Sequence, residues 1–265
     1  MRFTKNWRAV RNPDYCAFLE DVGNGRLLQV PVPDHARASD YNDIISKVYG
    51  QDLSSIVNSR NMIMAYTLQT CLAINTLCLD AIPSSELSVN AFDDTRDNRQ
   101  PDLYTPEYLA ALVLHGVPPS VLPLKVSARY MIIKNYNPDK GVCNGAMCEL
   151  LAASRNVVQV KLLNGIDAGR IIVLPRCSCH VSRENSGLPF DFTRVQFPLI
   201  PGYCVSVHKS QGQNLDRIGL IIDQDAFAHG QVYTALSRTS GWPHIHVLMP
   251  NKDSLITNVV YKHYL

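Results

Sequence analysis

A short apolar run, Tyr203-Cys204-Val205-Ser206-Val207, ends abruptly in the polar block His208-Lys209-Ser210-Gln211-Gly212-Gln213. The apolar run reads as a buried strand. Farther on, Gln231-Val232-Tyr233-Thr234-Ala235-Leu236-Ser237-Arg238 reads as a helix that presents one arginine. A buried strand that empties into a polar loop and is followed by a helix is the building unit of an α/β layer. In open α/β sheets, ligands gather at the carboxyl ends of the strands. A loop there that leads into a helix offers backbone N–H groups to an anion. Lys209 adds a point charge, Ser210 a hydroxyl, and Gln211 and Gln213 amides that donate and accept. Gly212 permits close approach of backbone to phosphate. The combination suits a nucleic-acid backbone and a nucleotide phosphate. A polar loop with a helix-capping serine is the plainer alternative.

The rest of the chain supports an α/β reading. Asn12-Pro13 opens a helix with Phe18, Leu19 and Val22 on one side, stopped by Gly23. Residues 40–49 form a second helical segment ended by Gly50, and 24–35 read as an extended loop with prolines at 31 and 33. Asn61 to Tyr66 reads as a buried strand. Thr67 then caps a helix through Leu79, with Leu68, Cys71, Leu72, Ile74 and Leu79 at helical spacing. Residues 93–104 read as an exposed loop. Thr105-Pro106 starts a helix through His115 closed by Gly116, and Arg129 to Lys134 reads as a strand before a turn at 135–141. From about 146 to 194 the texture changes to short β-branched runs, with Asn164-Gly165 as a hairpin turn. Strands near 203–207, 218–222 and 244–248 and helices near 229–238 and 251–262 complete the pattern.

With 265 residues, 46% hydrophobic and 18% charged, the chain can bury a real core as one large domain or two modest ones. A net charge of +2 makes any nucleic-acid surface local. No window approaches the roughly 18 apolar residues of a membrane-spanning helix, and the start carries no signal peptide. The eight cysteines are dispersed and read as reduced thiols of an intracellular protein. Cys177-Ser178-Cys179-His180 offers half of a zinc pattern without a second pair, so no metal ligands are assigned.

Arg238, at the end of a helix of small residues, suits stabilisation of charge on a transferring phosphoryl group; interaction with the helix dipole is the alternative. Arg8, in a basic N-terminal cluster, is a second candidate for a phosphate. Thr67 and Asn75 are placed to touch a backbone phosphate, although capping and polar packing explain them equally. Asn135 and Lys140 flank a turn that reaches toward DNA or serves turn chemistry alone. The dipeptide Gly-Lys never occurs, so the chain has no G-x-x-x-x-G-K-[ST] loop.

Taken together, Asn6-Trp7-Arg8, Asn144-Gly145, Arg194-Val195-Gln196-Phe197-Pro198, the His208–Gln213 block and Gly230 through Arg238 resemble the C-terminal half of Pif-type DNA helicases, and most of all those of Helitron transposons. The resemblance implies a superfamily-one helicase moving 5′ to 3′ on single-stranded DNA, with two RecA-like lobes that clamp ATP and Mg2+. It implies that this chain is the second lobe: 1–145 its first part, 146–194 an inserted small β-barrel, and 195–265 the remainder. Arg8 then matches the arginine of motif IV and Arg238 the arginine finger of motif VI. His208, Lys209 and Ser210 fall in motif V as DNA contacts, joined by Thr67 and Asn135. Gly212, Gln213 and Gln231 face the nucleotide. Trp7 stands where the family often has methionine, and Leu68-Gln69 replaces its usual polar step after Thr67. The expected partners are single-stranded DNA and an N-terminal helicase lobe that holds ATP and most of the Mg2+ coordination; the expected location is nuclear. A non-catalytic DNA-binding fragment or a transposon remnant stays open as the alternative.

Overall fold

The computed structural model describes residues 12–53, 60–95, 104–250 and 255–261. Arg8 and its neighbours lie outside the described residues. The chain divides into two compact units, one made of residues 1–78 and 203–265 and the other of residues 79–202.

The first unit is built on a parallel sheet of five strands in the order Cys204–Ser206, Asn61–Ala65, Arg217–Ile221, Ile245–Leu248 and Arg37–Ala38. Its strands are short apolar runs. Met62, Ile63 and Met64 are fully buried, as are Ile218, Leu220, Ile221 and Ile245, which is the pattern of strands covered on both faces. The registers level the strand ends: Ala65 pairs with both Ser206 and Ile221. The loops that follow these three strands therefore emerge along one edge.

Local signals set the helices of this unit. Asn12 caps Pro13–Gly23 by accepting from the Tyr15 N–H at 3.2 Å. Asp40 caps Tyr41–Tyr49 through Asp43 N–H, and Gly50 ends that helix at φ +80°. Leu68–Asp80 follows the Thr67 cap. Its buried stripe runs through Cys71, Ile74, Cys78 and Leu79, whereas Leu72 is exposed. Gly219 brings the Tyr41–Tyr49 helix close to the sheet: a Cβ there would meet Val48, Ile63 and Ile44 at 2.9–3.2 Å. Gly219→Val is expected to destabilise the chain by about 1–3 kcal/mol through overpacking. A thermal midpoint at or above that of the wild type would contradict this account of the packing.

The second unit is antiparallel. Ile171–Pro175, Val157–Leu162, Met147–Ala153, Arg129–Ile132 and Leu199–Pro201 form one sheet. Cys177–Val181, Phe192–Gln196 and Phe92–Thr95 form another, and Glu86–Asn90 pairs with Val121–Lys125. The strand-rich tract expected at 146–194 is present, but its strands pair outward, with Arg129–Ile132 on one side and Phe92–Thr95 on the other. The compact unit accordingly runs from Leu79 to Gly202.

Four expectations from the sequence need correction. Residues 93–95 continue a strand rather than an exposed loop, because Asp93 is drawn into pairing opposite Arg194. The helix expected through His115 ends at Ala111. Asn164-Gly165 lies in the connection of an antiparallel hairpin, but that connection runs over residues 163–170 rather than two, and the Asn164 side chain accepts from Met147 N–H. Within the helix expected at 251–262, Leu255–Thr257 is a strand that pairs with Gln29–Pro31, with Val30 and Ile256 both fully buried. The β-branched Ile256-Thr257 favours the extended form.

All eight cysteines are free thiols. Among the described residues no helix is long and apolar enough to cross a membrane, and no group of three or more His, Cys, Asp or Glu is placed to hold a metal ion.

Candidate functional site

The site lies at the carboxyl ends of the first unit's parallel strands. After Ser206 the chain forms a single turn of 3-10 helix over Val207–Ser210. This exposes His208 and half-buries Lys209. Burial lowers the pKa of the Lys209 ammonium below the usual lysine range, partly offset by the neighbouring Cys71 sulfur. Among the ion pairs between described residues, none includes Lys209. A partly desolvated, unpaired ammonium is poised for an external anion. Ser210 is fully buried and its hydroxyl donates to the Val207 carbonyl at 2.7 Å, so it holds the turn. Gly212 adopts φ +85° with open space where a Cβ would stand. Its glycine identity therefore answers to backbone conformation.

Arg238 closes the same site from the Gln231–Leu236 helix. The residue is buried, at 7% exposure. Nε donates to the Thr234 carbonyl at 2.8 Å, Nη2 to Ser237 Oγ at 2.8 Å, and Nη1 lies 3.5 Å from the Gln213 carbonyl. The last contact ties the arginine to the loop that begins with His208. Gln231 is buried at the head of the helix, where its Oε1 accepts from Phe227 N–H at 3.2 Å. Tyr15, which the sequence reading passed over, donates its hydroxyl to the Leu236 carbonyl at 2.9 Å and anchors the end of this helix.

Thr67 stands where the Asn61–Ala65 strand gives way to its helix. Its hydroxyl accepts from Thr70 N–H at 3.2 Å, lies 2.9 Å from Thr70 Oγ1, and donates to Asp223 Oδ2. Thr70 also donates to that oxygen. Asp223 follows the Arg217–Ile221 strand, and its Oδ1 is buried with no hydrogen-bond partner among the described residues; the same is true of the Tyr66 hydroxyl. Burial first, then the Asp223 charge, raises the Tyr66 phenol above its ordinary range. The sequence reading missed Asp223, Thr70 and Tyr66. The only local signal was an acid just beyond an apolar strand.

The structure thus brings Thr67, His208, Lys209, Ser210, Gly212, Gln213, Gln231 and Arg238 into one unit. Asn75 is spent inside it: its amide donates to the Cys204 carbonyl and accepts from Tyr203 and Cys204 N–H. Asn135 belongs to the second unit, where its Oδ1 accepts from Asn144 N–H at 2.9 Å and shapes a turn. Arg8 lies outside the described residues.

Comparisons with known proteins place the chain among helicase-like sequences and folds. The family model for the DNA helicase Pif1 2B domain matches residues 107–150, inside the second unit. The ATP-dependent DNA helicase PIF1 of Homo sapiens is 31% identical over 146 residues, covering 54% of this chain and 22% of the relative. The Mus musculus protein of the same name is 33% identical over 131 residues, covering 48% and 19%. Among solved structures, Pif1 helicase from Bacteroides in complex with ADP-AlF3 and ssDNA aligns with TM-score 0.61 and 20% identity over 98% of this chain and 53% of that one. Pif1 helicase from Candida albicans aligns with TM-score 0.61 and 23% identity over 93% and 55%. The chain resembles Pif-type helicases in sequence and shares their fold, while it matches about a fifth of the length of these two curated relatives.

Proposed function

We propose that this chain, similar to Pif-type helicases in both sequence and fold, serves as the second motor lobe of an ATP-driven, 5′-to-3′ DNA helicase. The observation that carries this reading is the convergence of the His208–Gln213 turn, Thr67 and Arg238 at one edge of a parallel sheet, with the Gln213 carbonyl 3.5 Å from Arg238 Nη1. One side of the turn, with exposed His208 and unpaired Lys209, suits the phosphates of a single strand. The other side, with Gly212, Gln213, Gln231 and Arg238, suits the terminal phosphate of ATP. This donor set fits a phosphate from one side and supplies no Gly-rich cradle. ATP and its Mg2+ are therefore assigned to a partner lobe, with the strand-rich second unit taking the place of the inserted barrel. Arg8 is assigned to the same phosphate as Arg238.

Two measurements test the DNA side. Titration of a labelled single strand should give affinity that falls steeply with salt, since phosphate contacts release counterions; no binding at low salt removes the reading. Lys209 adds a sign in pH. Because burial depresses its folded pKa, the bound anion favours proton uptake. Affinity is then full below that lowered pKa and is lost as pH rises through it, at a pH below the ordinary lysine value of about 10.4. Lys209→Arg should keep its affinity across the alkaline range. Coincident profiles for the two proteins would remove Lys209 from the contact.

A second reading, a module that binds single strands and catalyses nothing, draws support from one observation: the Arg238 head is already engaged by its own helix. Hydrolysis measurements on Arg238 variants separate the two readings.

A further inference from the structure

We propose that Thr70 is a positioning residue for single-strand binding, keeping Asp223 satisfied so that the Thr67 hydroxyl is free to turn toward a backbone phosphate. This rests on the functional reading above and deepens its DNA side. Two hydroxyls, from Thr67 and Thr70, converge on one carboxylate oxygen, Asp223 Oδ2. Each hydroxyl has a single proton. Thr70 is buried, at 8% exposure, and its one proton is held on Asp223. Thr67 is half-buried at the head of a 13-residue helix, where N–H groups also face outward. Its proton has two alternative acceptors within the protein, Asp223 Oδ2 and Thr70 Oγ1.

The other oxygen of Asp223 has no donor among the described residues, and neither does the nearby Tyr66 hydroxyl have an acceptor. Asp223 is therefore already under-supplied, and stripping its last donor is costly. With Thr70 in place, Thr67 leaves Oδ2 with one donor still bound. Without Thr70, Thr67 becomes the only donor left among the described residues and is held on the carboxylate. The ligand class is a phosphodiester, since Thr67 offers it one neutral donor and the helix start adds backbone N–H groups.

The test measures the salt dependence of single-strand binding and the thermal midpoint of the full chain. Thr67→Val should reduce the slope of log affinity against log salt by about 0.7, the loss of one phosphate contact on a single strand. Thr70→Val, of nearly the same shape, should reduce it by the same amount, although the Thr70 proton goes to Asp223 and not to the strand. Thr70→Ser restores a hydroxyl and with it the slope. Adding Asp223→Asn to Thr70→Val should also restore the slope, because a neutral amide holds the Thr67 proton less tightly. A lower thermal midpoint for Thr70→Val with an unchanged slope overturns the proposal and leaves the functional reading standing. Absence of salt-dependent binding by the wild-type chain overturns both. Should Thr70→Val fail to fold, the double variant decides alone: a slope reduced by about 0.7 overturns the proposal.

Discussion

Asp93→Ala is expected to lower the stability of the chain by about 3–5 kcal/mol, the cost of leaving a buried charge without its partner. Arg194 is completely buried, and its guanidinium makes a two-pronged pair with Asp93: Nε to Oδ1 at 2.8 Å and Nη2 to Oδ2 at 2.7 Å. Two more of its N–H groups are spent on carbonyls, Nη2 on Leu109 at 2.7 Å and Nη1 on Pro118 at 3.1 Å. The head also lies 5.5 Å from the centroid of the Phe192 ring. One side chain thus fastens the Phe92–Thr95 strand, the Pro106–Ala111 helix and the proline-rich connection to the Phe192–Gln196 strand. Domains have only about 5–15 kcal/mol in hand, so the loss should appear as a large fall in thermal midpoint. Arg194→Lys should not rescue it, since an ammonium cannot reproduce the planar fork. Replacing both partners with apolar residues should cost much less than either single change. An Asp93→Ala midpoint within a few degrees of the wild type would show that the pair does not hold the unit together.

Arg238→Ala is expected to reduce DNA-stimulated ATP hydrolysis by about 10³–10⁵-fold, the range in which arginine fingers act, once the chain works with a lobe that binds ATP. At rest the guanidinium is held by neutral acceptors, the Thr234 carbonyl and Ser237 Oγ. A phosphate oxygen carries a full negative charge and accepts from a guanidinium in a two-pronged geometry, so a nucleotide brought to this edge can draw the head away from its helix. Affinity for single-stranded DNA should change little, which distinguishes loss of a finger from loss of the fold. Arg238→Ala that hydrolyses ATP at the wild-type rate assigns the arginine to helix packing and favours the pure binding module.

The first unit was largely readable from sequence because its signals are local. An Asn-Pro start, a terminal Gly50 and the Thr67 cap each act within about four residues, and the structure shows these helices bounded where they say. The His208 turn was readable for the same reason. What escaped was nonlocal. Asp93 meets Arg194 across 101 residues, so a strand looked like an acidic loop. Asp223 meets Thr67 across 156 residues, so a carboxylate central to the site carried no pattern of its own. Leu255–Thr257 is too short to show alternation, and only its pairing with Gln29–Pro31 fixes it as extended. Chemistry also differed from composition: Ser210 and Asn75 have the right groups for a phosphate, yet each spends them inside the unit.

The proposed second lobe is the phosphate-sensing, DNA-gripping half of a nucleotide-driven motor. The most direct test is the rate of phosphate release from ATP by a Pif-type nucleotide-binding lobe, measured with and without this chain and with and without single-stranded DNA. Hydrolysis is expected to require both lobes and to rise when the strand is added. A rate that is the same whether or not this chain is present, under conditions where the chain binds the strand, would contradict it.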